Sequence, residues 1–544
     1  MRIQAASVAA LLLCSASSLA APPPPQRPAA PQITVGADLR ELIFDWEPVP
    51  GATHYDLLAN PDGHSGFTSV SGQIPATRTR AGVSISVHLQ HWSSARYMVA
   101  ACNAAGCRNS APLPVTDQML DTIGYFKASN TNAGDGFGYN VALSFDGYTL
   151  AVTAVDEDSN ATRVNGDQAN NSSQSSGAVY VFRRDGRRWR QEGYLKAGVN
   201  QPQQYFGYGY PFGQQALAIT GNGELLAVGA PAETVNGVHA AGKVYFFGRA
   251  ANGSWRLLSS LIAPNPQRND YFGASVDISV DGRTLKVTSI QPQDGEGNPE
   301  VRTHIFTRSA SAWVHSITIA PPIPGEFCQT VRLSGDGNTI VSSCWGYIGA
   351  PTRLVTYKRN GNAWNQATDL VVSSARTLQP LAVNFNGTRM AFTDSPGLSK
   401  TVHTHRWNGT AWVRDGSINP PVPVVSINTF GEYLVFNGTG NMLVVGDILS
   451  GAAGAGISET ATPGTEDSGA VFVYQRGSGT PWALRSVVKA PRPSIENNLG
   501  VWLAVSGSGL TLAVGAPYED SAATGVDGDQ TDSSASSAGA VYLY

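Results

Sequence analysis

Charge is scarce in this chain. Only 14% of its 544 residues are Asp, Glu, Lys or Arg, and no run of Lys and Arg forms a basic block. The formal net charge is −4. Arg2 is the only charge in the first 20 residues, so the remainder holds 35 basic against 40 acidic residues. Nucleic acid is therefore a poor partner. Long apolar runs are absent too: after the short run at residues 8–14, no segment is long and apolar enough to span a bilayer. His-Glu-x-x-His, Gly-x-Ser-x-Gly and a phosphate loop ending in Lys are all missing. Gly134-Asp135-Gly136-Phe137-Gly138 lacks the strand-then-helix setting of a nucleotide loop and reads as turn glycine. His403 and His405 alternate on one strand, and two histidines alone are a weak metal signal; they read as exposed strand residues.

Cysteine is rare as well, at five. Cys14 belongs to an N-terminal stretch with Arg2, an apolar run and Ser18-Leu19-Ala20, the pattern of a secretory signal peptide over residues 1–20. Leu13 before Cys14 does not suit a lipoprotein cleavage site. The other four, Cys102, Cys107, Cys328 and Cys344, are an even set in a chain read as exported, which favours disulfides. Cys328 and Cys344 lie eight residues either side of Asp336 in an Asp336-Gly337 hairpin, so the expected pairs are Cys328–Cys344 and Cys102–Cys107. Residues 21–31 are Pro-rich and read as a stiff linker.

What the chain has in abundance is glycine, 59 residues of it, and a repeat. Between residue 120 and Tyr544 one pattern recurs seven times. A short strand such as Tyr139-Asn140-Val141-Ala142-Leu143-Ser144 leads to a tight turn, Asp146-Gly147 in the first unit and Ser508-Gly509 in the last. A second strand follows, such as Leu226-Ala227-Val228-Gly229, and then a loop of variable length. The third strand is centred on Val179, Val244, His304, Val355, His403, Val471 and Val541. A fourth strand opens on Trp189, Trp255, Trp313, Trp364, Trp412 and Trp482. The seventh unit stops after its third strand. Its missing strand is expected at Ile123-Gly124-Tyr125-Phe126-Lys127-Ala128, which matches Glu192-Gly193-Tyr194-Leu195-Lys196-Ala197 and has no unit of its own to join. Such a period of strands and turns predicts an all-β fold, a seven-bladed β-propeller over residues 118–544 closed by that strand.

Phe-Gly followed by Val-Gly-Ala-Pro, as in Phe212-Gly213 with Val228-Gly229-Ala230-Pro231 and Leu499-Gly500 with Val514-Gly515-Ala516-Pro517, resembles the FG-GAP repeat of integrin α-subunit propellers and of bacterial extracellular proteins. The resemblance is specific in units one, two, six and seven. It is weak in units three to five, where Phe327-Cys328 and Thr377-Leu378 stand at the Phe-Gly position of units four and five. The residue at the Gly position precedes the turn glycine by nine in every unit but the second, where it precedes it by ten. Residues 32–117 resemble a fibronectin type III domain: Leu42 to Glu47 is a strand carrying Trp46, and Tyr97 begins a later strand ending in Cys102-Asn103-Ala104-Ala105-Gly106-Cys107.

Function is read as binding. The resemblance implies an exported, secreted or cell-surface adhesion protein, most simply bacterial, with an extracellular protein or glycan as partner. Asn-x-Ser/Thr sites, mostly Asn-Gly, are read as turns. The rival class is an extracellular hydrolase or lyase on a propeller scaffold; Ser144 to Thr149 and Ser279 to Thr284 faintly resemble sialidase Asp-box turns, but the spacing differs. Integrin propellers hold Ca²⁺ between the first two strands, where this chain has only a short turn. Oxygens are dense instead in loops between second and third strands, which makes Asp156, Asp158, Asp167, Asp520, Asp527, Asp529 and Asp532 candidate Ca²⁺ ligands; the competing reading is a solvated polar loop. Those loops are long in units one, six and seven and short in units four and five. Closure of the ring would gather the long ones on one sector of one face, poor in aromatics, with Asp158, Asp167, Glu466, Asp467, Asp520, Asp527 and Asp529 as its ligand-facing acids. Sheet packing is expected not to need these loops.

Overall fold

The computed structural model describes residues 25–209, 214–291, 300–310, 312–345, 351–373, 380–394, 400–423, 427–464 and 467–544. The signal-peptide stretch, Phe212-Gly213, Thr377-Leu378 and Glu466 lie outside them. The fold is all-β: among the described residues the only helical elements are three short 3-10 turns. No helix among them is long and apolar enough to cross a membrane.

Contacts divide the chain into two units. One holds residues up to Thr34, Phe44–Ala81 and Arg96–Leu113. Its strands Thr68–Pro75, His54–Asn60, Arg96–Asn103 and Gly106–Asn109 form one sheet in that order. Trp46 and Tyr97 are both buried: Trp46 packs edge-on to Tyr55 with ring centroids 5.2 Å apart, and Tyr97 lies 4.9 Å from Phe44. Cys102 faces Cys107 across the last hairpin, and the two are disulfide-bonded.

The other unit holds Val35–Ile43, Gly82–Ala95 and Pro114–Tyr544. Its described residues form seven antiparallel sheets of four or five strands, besides smaller pairings. The first runs Phe137–Leu143, Thr149–Ala154, Ala178–Asp185, Arg188–Leu195, each strand beside its sequence neighbour. The next five repeat that order, and the sixth adds the short strand Ile457–Ser458. The seventh takes Leu503–Val505, Leu512–Ala516 and Ala540–Leu543 from the C-terminus and its outer strand, Gly124–Phe126, from before the first sheet. Phe126 faces Val541 and Tyr125 faces Tyr542 in that pairing, so the edge left by the truncated last repeat is covered. The inner strands touch in cyclic order: Phe137–Leu143, Leu217–Ile219, Ser275–Ile278, Phe327–Leu333, Leu381–Val383, Tyr433–Phe436, Leu503–Val505, and back to the first.

The repeated residues owe their identity to the joints between sheets. Phe137 is fully buried against Tyr180 and Phe182 of its own sheet, while its amide donates to Ala538 O of the seventh. Gly138 adopts φ +100°, and a Cβ there would lie 2.4 Å from Ala540 O. The same joint binds the second sheet to the first through Phe206-Gly207: Phe206 packs on Tyr245 and Phe247, and its amide donates to Ser176 O at 3.2 Å. Counting back from the turn glycine assigns this role to Phe212-Gly213. The structure moves it six residues earlier, because a small hairpin pairing Tyr208–Gly209 with Gln214–Gln215 is inserted before the inner strand. The phased tryptophans reach backward in the ring. Trp189 stands edge-on to Phe126, Trp412 Nε1 donates to Thr356 Oγ1 at 2.8 Å, and Trp482 Nε1 donates to Thr404 Oγ1 at 3.0 Å. Cys328 and Cys344 are joined in the fourth sheet, across a bulge between its first two strands.

Candidate functional site: the cavity inside the sheet ring

A cavity of about 670 Å³ lies among the inner strands, and all seven sheets line it. Its apolar lining includes the last residue of each inner strand: Leu143, Ile219, Ile278, Leu333, Val383, Phe436 and Val505. Beyond them the seven hairpins tighten into a collar. Asp146 N donates to Gly221 O, Gly221 N to Val280 O and Val280 N to Gly335 O, at 3.0, 2.8 and 2.7 Å. Asp336 N donates to Phe385 O at 2.7 Å, Gly438 N to Gly507 O at 2.9 Å and Gly507 N to Phe145 O at 2.8 Å. Phe145 and Phe385, from the first and fifth hairpins, meet with ring centroids 5.2 Å apart. Glycines seat them: a Cβ on Gly507 would lie 2.3 Å from the Phe145 ring, and one on Gly335 2.7 Å from Phe385. Two crossed phenyl groups thus narrow the hairpin end.

The opposite end is aromatic. Tyr139 stands edge-on to Tyr208 at 5.1 Å and approaches Tyr518 at 6.5 Å; Tyr205 lies 6.0 Å from Tyr208. Tyr433 packs on Trp502 at 5.2 Å, and both line the cavity. Burial raises the hydroxyl pKa of Tyr139 and of Tyr433, and in both cases the Tyr208 and Tyr518 hydroxyls add to the rise, which marks one cluster. Of this cluster only Tyr518 belongs to one of the long loops; the others stand on or beside the inner strands. Tyr139 and Tyr208 each follow the Phe-Gly pair directly, and Tyr433 and Trp502 stand two residues after the equivalent glycine; only Tyr518 has no counterpart among them.

Charged groups also meet the cavity. Lys400 Nζ bonds Glu432 Oε1 at 2.7 Å, and both residues line it. Asp277 receives Lys286 Nζ at 3.1 Å and the amide of Leu333 at the same distance. Lys286 is wholly buried and also donates to Ser275 Oγ at 2.7 Å. Arg332 reaches across to the next sheet, its Nε donating to Leu381 O at 3.3 Å.

Buried glutamates anchor the acidic loops. Glu157, 1% exposed, takes Lys196 Nζ and the Tyr194 hydroxyl, both at 2.8 Å. Glu519 does the same with Lys127 Nζ at 2.8 Å and Tyr125 at 2.9 Å. In the second sheet Glu233 takes Lys243 Nζ at 2.6 Å and Tyr245. Burial pulls the pKa of Lys196 and Lys127 down, opposed by these glutamates. The neighbouring aspartates fold the loops. Asp158 accepts the Ser175 amide at 2.7 Å and Asp520 that of Ser537 at 2.8 Å. Asp167 accepts Ala169 N, Asp527 accepts Tyr125 N, Asp529 accepts Thr531 N, and Asp532 accepts Ser534 N and Ala522 N. Asp156 is half-buried, and burial raises its pKa; Asp467 is half-buried. Among the described residues no group of three or more His, Cys, Asp or Glu could hold a metal ion. Asp158, Asp167, Asp520, Asp527, Asp529 and Asp532 thus each accept at least one backbone amide. Nor are the loops dispensable to packing, since Glu157 and Glu519 root them in the core. His403 and His405 also differ from expectation: His405 is buried, His403 is half-buried and bonds Ser417 Oγ through Nδ1, and burial lowers both pKa values.

No protein-family model and no curated protein matches the chain. Solved structures do. The β-propeller domain of Cps50 (Swd1) from Myceliophteria thermophila aligns at 9% identity and TM-score 0.45, covering 78% of this chain and 99% of its own. Periplasmic gluconolactonase PpgL of Pseudomonas aeruginosa aligns at 16% identity and TM-score 0.39, over 64% and 87% of the two chains. TolB from Acinetobacter baumannii aligns at 11% and TM-score 0.33, over 74% and 77%.

Proposed function

We propose that the chain is an exported, non-catalytic binding protein: a seven-bladed β-propeller of FG-GAP type with a fibronectin type III-like module before it, taking a glycan in the central cavity. The observation that carries this reading is the aromatic cluster of Tyr139, Tyr208, Tyr433, Trp502 and Tyr518 beside a cavity that also presents Gln214, Gln215, Lys400 and Glu432. Sugar rings offer apolar faces to aromatic side chains and hydroxyls to polar ones, and a volume of about 670 Å³ is within the range of small-ligand sites. The narrowed hairpin end favours entry from the aromatic end, where the long loops carrying Asp158, Asp167, Asp520 and Asp529 would extend the contact. Two disulfides agree with an oxidising, extracytoplasmic setting. A glycan array probed with the whole exported chain, followed by titration calorimetry, tests the reading. Tyr433→Ala should weaken binding of the captured glycan at least tenfold; Trp502→Ala should do so as well, with a lower melting temperature because Trp502 is packed in the core. Capture of a glycan that Trp502→Ala and Tyr433→Ala leave unaffected, or of none, would put the site elsewhere.

A further inference from the structure

The charges in the cavity do not balance. Lys400 is matched by Glu432 and Lys286 by Asp277, whose Oδ2 is further occupied by the Leu333 amide. Arg332 has no carboxylate: it forms no ion pair among the described residues, and its Nη1 has no hydrogen-bond partner among them. A guanidinium held half-buried is normally paired, because the cost of withdrawing it from water is recovered only through a counter-charge. Its charge bears on a neighbouring cation, Lys286. Lys286 is pulled down to about 8, first by burial and then by the Arg332 charge, against the opposing pull of Asp277. Two cations therefore stand near a single carboxylate, Asp277, which Lys286 and the Leu333 amide already occupy. Arg332 is also held in place, on the inner strand Phe327–Leu333, one sheet edge fastened by the Cys328–Cys344 disulfide and the guanidinium fixed by its Nε bond to Leu381 O.

We infer that the cavity selects an anionic sugar, a glycan unit bearing a carboxylate or a sulfate ester, and that Arg332 is the residue that receives the anion. The inference rests on reading the cavity as a glycan site. A planar guanidinium with one edge committed to a carbonyl keeps its remaining N–H groups for an oxyanion, and such charge-assisted bonds are about twice as strong as neutral ones. The aromatic end would hold the sugar faces while the acid group reaches down to the fourth and fifth sheets.

Titration calorimetry of the whole chain with three probes tests this: oligomers of galacturonic acid, of galactose 6-sulfate, and of galactose. The acidic oligomers should bind at least tenfold more tightly than the neutral one, and the gap should shrink as salt rises from 0.05 to about 0.5 M. Arg332→Gln should remove the preference while leaving the neutral oligomer's affinity within threefold. Arg332→Lys, which keeps a charge and guards against loss of folding in the first variant, should retain the preference at a reduced ratio. Equal affinity for acidic and neutral oligomers would overturn the inference and leave the binding function standing. Preference for acid that survives in a folded Arg332→Gln, or stays complete in Arg332→Lys at high salt, would overturn the role of Arg332. No binding of any oligomer, with none captured on the array, would overturn both.

Discussion

Where the seventh sheet meets the first, backbone touches backbone. A Cβ on Gly515 would lie 2.3 Å from Gly138 O, and one on Gly539 2.1 Å from Phe137 O. The second and third sheets meet in the same way, at 2.1 Å from Gly229 to Gly273 O, and so do the sixth and seventh, at 2.6 Å from Gly446 to Gly500 O. On the other side of the ring, side chains span the gap. The third and fourth sheets are joined by Leu333 N on Asp277, the fourth and fifth by Arg332 on Leu381 O, and the fifth and sixth by Thr393 Oγ1 on Gly431 O. Arg389 and Arg476, from those last two sheets, share Asp415. The position after the second strand's apolar run shows most of the change: Gly229, Gly446 and Gly515 on one side, Thr288, Ser343 and Thr393 on the other, with Thr153 of the first sheet the exception. Glycine is demanded where carbonyls approach closely; once the gap admits a side chain, many solutions serve and the motif dissolves.

The sharpest way to break this comparison is to exchange those residues. Gly229→Val drives two methyl groups toward Gly273 O and should abolish cooperative unfolding, read by circular dichroism and size exclusion. Thr288→Gly, the reverse change at the equivalent place, should cost only about 1 kcal/mol. A tolerated Gly229→Val would mean that the joint yields. Next in size are the buried ion pairs. Lys127→Ala leaves Glu519 unpaired in the core and should cost about 3–5 kcal/mol, and it loosens the strand that completes the seventh sheet. Lys400→Ala, whose partner Glu432 is 35% exposed, should cost about 1 kcal/mol or less. Equal losses in urea titrations would show that the two sides of the ring are held alike.

How far the sequence was legible follows the same division. Local pairing declares itself: the hairpins, the phased tryptophans, the strand Gly124–Phe126 and the Cys328–Cys344 bond all depend on residues near one another in sequence or matched by repeat. Insertions defeat counting, as the hairpin before the second inner strand displaces the Phe-Gly role to Phe206-Gly207. Composition misleads where burial decides. Glu157 and Glu519 sit in acidic loops but are core residues, and only Lys196 and Lys127 one sheet edge away reveal it. The cavity was least legible: Tyr139 and Tyr208 share a place after Phe-Gly, but the displaced Phe206-Gly207 hides the match, and Arg332 has no basic counterpart in the other units.

The disulfide offers a smaller test on the motif-poor side. Cys328 and Cys344, 16 residues apart, close a loop whose removal should cost about 3 kcal/mol. Cys328→Ser with Cys344→Ser should therefore lower the urea midpoint while leaving cooperativity intact. A change below about 1 kcal/mol would mean that the bulge in this sheet holds its shape without the bond.

Acid should separate the two sides with the smallest effect. Facing Val152, Val228 and Val514 of their second strands, the first, second and seventh sheets carry Tyr180, Tyr245 and Tyr542, whereas the third carries His304 opposite Val287. Burial, then the charges of His315 and Arg302, lowers His304 to about 4. Unfolded, it titrates near 6.5. Between these values the unfolded chain binds more protons, so stability falls as pH drops through that window, by about 2 kcal/mol or less for this residue down to pH 4.5. Asp135, on the motif-rich side, has the opposite sign. Burial, with Glu157, Asp158 and Asp156 adding to it, raises its carboxyl to about 8, so the folded chain binds the extra proton and stability falls as pH rises from about 4 to 8. His304→Tyr should thus flatten the acid limb of the stability curve, and Asp135→Asn the neutral-to-alkaline limb. Hydrogen exchange at pH 5 should show the third sheet loosening before the first. If His304→Tyr leaves the acid limb unchanged, its imidazole is protonated in the folded protein and the bonds to Ser289 and Thr318 must be reassigned as donations from a cation.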